Sequence, residues 1–461
     1  MQANDSAAAG AAAAAAEIKS LPRELSYPAQ LSSFYGADVQ RNVALPQNGT
    51  TFTGSSGTRI IFQIPSPSPN MFLNGGDTYI CCNVGTTGAL STFARSAQAM
   101  ISRLEIRCGS TVIEDVVNYG HIVNDLLPYF YGSADLATYY QFAGTQSVDN
   151  GTSVAINTGV DVPTSANGGV YVMIPIMSSV IGNLFKGYWP LGFHQGQPLT
   201  VTVYLQNLFE TLNYVALTTA YTVTDVKLVY TTVEISDQAL QALTASLPPV
   251  VQVPSTQWRG SQTSSQVTDA AGATSGTLSI IAGGIKYFSL RGLYWSMRND
   301  GALANATARS ACRTLGGCTA WTYRVNGKNV PSMPIVSTTG TVTTLAEQFA
   351  EIFKTIGALN DVGRKCTVYD GNFSTNSYAV TDMVHWSGLQ GLDMSTYPDL
   401  GSDRNLCGVN TSTSDIFLNM TYSAAANGAT AGAKPLTFFF HANFDVVFVF
   451  DRVARTVTMR C

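Results

Sequence analysis

The chain has 461 residues, 45% of them apolar but only 12% charged, with a formal net charge of −4; at roughly 150 residues per domain it is long enough for two or three cores. Its 25 lysines and arginines are dispersed without a run of three, and electrostatic binding of nucleic acid needs clustered cations, so direct sequence-specific nucleic-acid binding drops out of the reading. No stretch reaches the roughly 18 uninterrupted apolar residues of a membrane span, and a surface so poor in charge either meets water through hydroxyls and amides or is covered by other chains.

Met1 to Arg41 reads as an N-terminal arm: an alanine-rich helix capped at Asn4, Asp5 or Ser6, then Leu21-Pro22 and ELSYPAQLSSFYG. Alanine favours helix but offers little to bury, so the arm either docks, for instance on a neighbouring subunit, or stays mobile. It has no basic n-region and carries Asp5 ahead of the alanines, which does not fit a secretory signal and predicts maturation in the cytosol.

From Asn42 to Ile235 the pattern is of strands separated by turn residues. Strands are predicted at Arg59–Ile64 and, after the loop PSPSPNMFLNGGD, at Thr78–Val84. A short helix over Ala94–Met100 leads into a strand Ile101–Cys108, a turn at Gly109-Ser110 and a helix over Glu114–Leu127. Gly144–Gly169 is a polar loop, followed by strands Val170–Ile176, Leu199–Leu205 and Tyr221–Ile235. In the last of these Val226, Leu228 and Tyr230 alternate with Lys227, then Val233 and Ile235 take the opposite phase, a register slip near the strand's end.

Ser236–Leu247 is a helix with Ser236 as N-cap, stopped by Pro248, Pro249 and Pro254. The boundary between two domains falls here: arm 1–41, first domain 42–246, a stiff Pro-rich linker 247–255, second domain 256–461.

The second half repeats the order of the first: strands Thr277–Ile281, Tyr287–Ser296 and Thr319–Val325, a turn at Asn326-Gly327, a helix Thr344–Ile356, a strand Asp415–Tyr422 and the stretch Leu436–Met459. In that stretch Phe438, Phe440, Ala442, Phe444, Val446, Phe448 and Phe450 alternate with His441, Asn443, Asp445 and Asp451, the signature of a strand buried on one face. After Asp451 the apolar set passes to Val453, Val457 and Met459, as a β-bulge in one long bent strand would produce. Gly109 with Gly327, Gly192 with Gly401 and Val226 with Phe444 recur at roughly 210 to 218 residues, which argues for two copies of one architecture. The fold class is all-β: two tandem eight-stranded jelly rolls with a few short helices and an N-terminal arm.

Residues that carry chemistry are sparse. His121, His194, His385 and His441 are scattered, and there is no GxSxG, Walker loop, HExxH or GxGxxG, so no catalytic, cofactor-binding or metal site is assigned and the chain reads as no enzyme with no cofactor. The oxygen-rich Asp399, Ser402, Asp403 and Asn405 lack the EF-hand order a calcium loop would have. Eight cysteines (81, 82, 108, 312, 318, 366, 407 and 461) form no zinc-like spacing and read as buried thiols, with Cys312 and Cys318 able to close a small loop if oxidised. The sequons at Asn4, Asn48, Asn150, Asn305, Asn372, Asn410 and Asn419 are frequent by composition alone. Trp189, Trp258, Trp295, Trp321 and Trp386 either pack in the core or line a sugar site, which keeps a secreted or surface jelly-roll lectin or adhesin as the alternative. A β-sandwich enzyme acting on glycosides would need a carboxylate pair on facing strands.

The order of elements resembles the double jelly-roll major capsid proteins of icosahedral double-stranded DNA viruses, the lineage of tailless membrane-containing phages, polinton-like viruses, virophages and the adenovirus hexon. The resemblance rests on SRLEIRCGSTVIEDVVNYGHIVNDLL (Ser102–Leu127), PLTVTVYLQN (Pro198–Asn207), DVKLVYTTVEISDQALQAL (Asp225–Leu243) and HANFDVVFVFDRVARTVTM (His441–Met459), and covers about residues 40 to 461. It implies a viral structural protein forming homotrimeric, pseudo-hexagonal capsomers that tile an icosahedral shell. The partners it implies are the chain itself, neighbouring capsomers, penton and minor or cement proteins and, in part of the lineage, an internal membrane. The implied location is the virion, assembled in the host cytoplasm or nucleus, with Gly144–Gly169, Ala302–Gly316 and Asn360–Asn410 as candidates for outer tower loops.

Overall fold

A computed structural model describes residues 37–88, 90–94, 96–130, 158–182, 187–213, 218–269, 275–299, 318–336, 346–356, 388–395, 406–423 and 432–461. In the first half the main strands are β1 (Ala37–Ala44), β2 (Arg59–Ile64), β3 (Met71–Thr87), β4 (Ile101–Cys108), β5 (Thr111–Val117), β6 (Val170–Pro175), β7 (Leu199–Leu205) and β8 (Ala220–Ile235). They form two antiparallel sheets, β1-β8-β3-β6 and β2-β7-β4-β5. The second half has β9 (Val250–Asp269), β10 (Ser275–Ala282), β11 (Leu290–Asn299), β12 (Cys318–Val325), β13 (Lys328–Val336), β14 (Gln390–Asp393), β15 (Ile416–Ser423) and β16 (Gly432–Asp451). Its sheets are β9-β16-β11-β14 and β10-β15-β12-β13. Numbered within each half, both read 1-8-3-6 and 2-7-4-5, the connectivity of a jelly roll. Among the described residues no sheet mixes strands of the two halves.

Local chemistry explains the matching corners. Gly109 (φ 56°) and the pair Asn326 (φ 51°) and Gly327 (φ 78°) close the equivalent two-residue hairpins β4–β5 and β12–β13, where positive φ suits the twist of the strands. Between the two facing sheets of the first barrel, Ile60, Phe62, Ile80, Cys82, Val203 and Val223 are buried and surround a cavity of about 20 Å³ with wholly apolar lining. The second barrel is filled by aromatic rings, with Trp295 edge-on to Trp321 at 5.7 Å and Trp321 edge-on to Tyr323 at 5.4 Å.

Among the described residues four helices cover the connections: α1 (Tyr119–Phe130), α2 (Leu208–Thr211), α3 (Asp237–Ser246) and α4 (Ala346–Thr355). Helix α3 begins as expected, with Ser236 Oγ accepting from Ala239 N at 3.3 Å. Its far end is held from the second barrel: the Arg452 guanidinium donates to the carbonyl oxygens of Thr244, Leu247 and Pro248 at 3.0 to 3.3 Å.

Several expectations are corrected. The helix expected over Glu114–Leu127 is β5 followed by α1, because Glu114 and Asp115 pair with Ile106 and Glu105 across a hairpin and Asn118, at φ 56°, breaks the chain between strand and helix. Ala94–Met100 is the end of a short strand, Ser91–Ala94, and one 3-10 turn, Ala97–Met100. Strand β3 starts seven residues before the expected Thr78, taking in much of the Pro/Gly loop; it accommodates Gly75–Thr78 as an unpaired excursion between Asn74 and Tyr79. Leu436–Met459 is not one bulged strand. Asp451 Oδ1 accepts from Val453 N and Ala454 N at 3.0 and 2.9 Å, the chain reverses, and Thr456–Arg460 returns alongside Val447–Asp451. The phase change read as a bulge is therefore a hairpin. The slip in β8 is present, at Val229/Thr231, with a second at Thr224/Lys227.

Two element boundaries differ from the division read in the sequence. Strand β1 straddles Arg41, with Ala37 opposite Ile235. Strand β9 begins at Val250, opposite Asp451, so most of the stretch 247–255 is paired strand.

Candidate functional site

The alternation in β16 predicts polar residues facing water at His441 and Asp445, yet both are fully buried. The reason is tertiary: the sheet β9-β16-β11 turns its outer face onto α1, α2 and β5 of the first barrel, making a seam that is polar and dry. Asp125 of α1 accepts from His441 Nε2 at 2.9 Å and from Ser296 Oγ of β11 at 2.8 Å, with Asp125 and His441 almost wholly shielded from solvent. Arg298 of β11 grips Glu210 of α2 through both guanidinium nitrogens, at 2.5 and 2.9 Å, and lies over the Phe439 ring. His121 lies against Phe439 with ring centroids 4.4 Å apart and planes tilted by 36°, and puts Nε2 3.5 Å from Glu210. Towards the other end of β16, Trp189 meets Phe448 and Phe450 edge-on at 4.9 and 5.0 Å. Gly260 lets the barrels touch, since a Cβ there would lie 2.7 Å from the Val117 carbonyl oxygen.

A second polar group crosses the seam at β5. The Glu114 carboxylate is buried, accepting from Ser178 Oγ and, at 2.8 Å, from Ser179 N. Gln257 of β9 donates to the Ile113 carbonyl at 2.9 Å and to Ser179 Oγ at 3.0 Å. Burial pushes the Glu114 carboxyl up to about 7, against the opposing pull of its serine and amide donors.

The remaining candidate residues take structural places. His194 donates from Nδ1 to the Gln197 carbonyl and accepts from Trp189 Nε1 at 3.0 Å, and burial holds its imidazolium form down. Trp189, Trp258, Trp295 and Trp321 are buried, so none of these four offers a sugar a stacking face; Trp386 and His385 lie outside the described residues. Cys82 is buried while adjacent Cys81 is half-exposed on the opposite face, and Cys81, Cys82, Cys108, Cys318, Cys407 and Cys461 are free thiols. Cys312, Cys366, the oxygen-rich 399–405 segment, residues 1–36, and Asn150, Asn305 and Asn372 lie outside the described residues, as do most of the three proposed tower loops. Asn48 and Asn410 are exposed, and Asn419 is half-buried in β15. Among the described residues no group of three His, Cys, Asp or Glu side chains is placed to hold a metal, and no helix is long and apolar enough to cross a membrane.

Sequence reasoning missed the seam because its members come from opposite halves of the chain, His441 lying 316 residues from Asp125. The visible signal was the density of polar residues in an otherwise aromatic strand.

The repeat also exposes an asymmetry. In the first barrel the edge strand β5 is covered by β9 and by Thr456–Arg460, and α1 is buried. Among the described residues the equivalent edge of the second barrel has no such cover: β13 is mostly exposed, with Met333 79% and Val336 50% accessible, and α4 beside it is only partly covered. On the first barrel, the sheet equivalent to the one that closes the seam leaves Val39, Val43 and Tyr171 exposed.

No family model matches the chain, and no curated protein matches it in sequence. Solved structures do. A chain of the PBCV-1 virus capsid superposes with a TM-score of 0.58 at 12% identity, covering 94% of this chain and 98% of that one. The Faustovirus major capsid protein gives 0.54 at 8% identity, covering 91% and 92%. The mavirus major capsid protein gives 0.52 at 10% identity, covering 96% and 95%. With two jelly rolls of one connectivity packed along a buried seam, and with end-to-end superposition on these proteins, the chain has the double jelly-roll fold of viral major capsid proteins.

Proposed function

We propose that the protein is the major capsid protein of an icosahedral DNA virus, acting as a structural shell component rather than an enzyme. The observation that carries this reading is the superposition of nearly the whole chain on nearly the whole of several viral capsid proteins, both barrels included. The bare edge of the second barrel supports it further. Within one chain, the outer sheet of barrel two covers β5 and α1 of barrel one. Repeating that contact between chains sets the β1-β8-β3 sheet of one copy on β13 and α4 of the next, and a head-to-tail contact of this kind closes into a ring when the rotation fits. Three chains then give six barrels, a homotrimeric pseudo-hexagonal capsomer. In this reading the two barrels divide near 246–250, residues 1–36 reach neighbouring capsomers, penton and minor capsid proteins are further partners, with an internal membrane beneath the shell in viruses that have one, and assembly takes place in the host cytoplasm or nucleus.

Light scattering on the purified chain, with negative-stain imaging of the same peak, tests the proposal. Three times the 49.0 kDa of one chain with a pseudo-hexagonal outline is the expected result; a stable monomer without that outline would sink it.

A further inference from the structure

The two barrels match in plan and differ in what fills them. Strands β4 and β12 run into equivalent hairpins with the same order of buried and exposed residues, which sets Trp321 where the first barrel has Leu104 and Tyr323 where it has Ile106. The first barrel is aliphatic at these points, and its cavity has no polar lining. In the second barrel Trp321 lies 5.4 Å from the Tyr323 ring and 5.7 Å from Trp295, which belongs to the facing sheet. Gln390 of β14 stands directly opposite Trp295 of β11 in the register, so the two side chains share one face of that sheet. All four residues are buried, none above 1% exposure.

These four side chains carry five polar atoms: the indole Nε1 of Trp295 and of Trp321, the Tyr323 hydroxyl, and Oε1 and Nε2 of Gln390. None of the five finds a partner among the described residues. Buried polar groups in folded proteins are nearly always paired, with protein or with ordered water, because an unpaired one has given up its bonds to solvent for nothing. A contiguous group of this kind, drawn from both sheets, points to a guest.

We propose that the second barrel encloses a hydration site, in which one or more ordered water molecules bridge Gln390, Trp295, Trp321 and Tyr323 and tie the two sheets together. The chemistry of the four selects the guest. The indoles only donate, the carboxamide donates and accepts, and the phenol does either. Water brings two hydrogens and two lone pairs, and so answers every member of the set. An anion would satisfy the donors but set its charge against Gln390 Oε1, and a cation would find the indole hydrogens turned towards it. Neither has a countercharge to meet: the buried charged groups of this barrel are engaged elsewhere, Arg298 with Glu210 across the seam and Asp445 with Ser289 and Arg291.

A density map of the full chain, at a resolution that shows ordered water, tests the site. Water is expected within hydrogen-bond reach of Gln390 and of Trp321 or Tyr323 on the facing sheet, and none is expected in the apolar cavity of the first barrel. Gln390→Met keeps the length of the side chain and removes the amide; it is expected to lose this water and to lower the denaturant midpoint, since the groups that were bridged are left unpaired. Were the amide idle, its removal would raise the midpoint instead. A wild-type map without water between the two sheets, or a midpoint that stays level or rises in Gln390→Met, overturns the proposal. Should Gln390→Met fail to fold, Tyr323→Phe takes its place: the same fall is expected, and a level or raised midpoint overturns the site.

Discussion

Removing the Arg298 guanidinium would leave the Glu210 carboxylate in the seam short of its cation. Both side chains are largely buried and their contact is two-pronged, so Arg298→Ala should destabilise the chain by about 3–5 kcal/mol in denaturant unfolding. Replacing both partners with apolar residues should recover most of that loss, because the pair's desolvation penalty disappears with its attraction. In the first barrel the logic is the reverse. The cavity beside Val203 and Val226 has no polar lining, and Val203→Ile adds one methylene, worth about 0.8 kcal/mol if it enters without strain. A rise in the denaturant midpoint checks this. The sequence marked such residues only weakly: His441 occupies a period-two position that reads as solvent-facing until the first barrel is laid over it, and Arg298 lies beyond the expected end of its strand at Ser296.

At the scale of elements, alternation was a good guide and helical pattern a poor one. Strands Arg59–Ile64, Ile101–Cys108 and Leu199–Leu205 have the boundaries expected from apolar spacing. Glu114–Leu127 failed because Val112, Ile113, Val116 and Val117 satisfy both a strand and one face of a helix, and only the hairpin partner Ile101–Cys108 decides between them. The hairpin at Asp451 failed for a similar reason, since a reversal and a bulge both change the phase of an apolar run. The connector illustrates what tertiary contact adds. Arg452 caps the end of α3 from the neighbouring barrel, so Arg452→Met should speed exchange of the α3 amides while leaving the β9–β16 amides protected. Equal loosening of both would show that the cap holds more than the helix.

For the whole molecule, the tandem architecture was legible from landmark spacing, whereas the packing of one barrel on the other was not, because no local period encodes which sheet face meets which edge. The uncovered edge of the second barrel carries the corresponding prediction. Met333 is 79% exposed, so Met333→Lys should leave the unfolding curve of the chain nearly unchanged and shift the native mass from trimer to monomer. Deleting residues 1–36 while keeping β1 should spare the trimer and weaken assembly of trimers into shells; a cut at Arg41 would remove half of β1 and confound the result.

The β9–β16 ribbon has a mechanical consequence. Its register runs unbroken over 20 residues, whereas β8 meets two shorter strands on one side and two register shifts on the other. A force directed along the ribbon loads its rungs together in shear, while a force across its end peels them one at a time. Loaded along its length, the β9–β16 ribbon should therefore hold to higher force than the pairings of β8, where the broken register lets rungs fail in smaller groups.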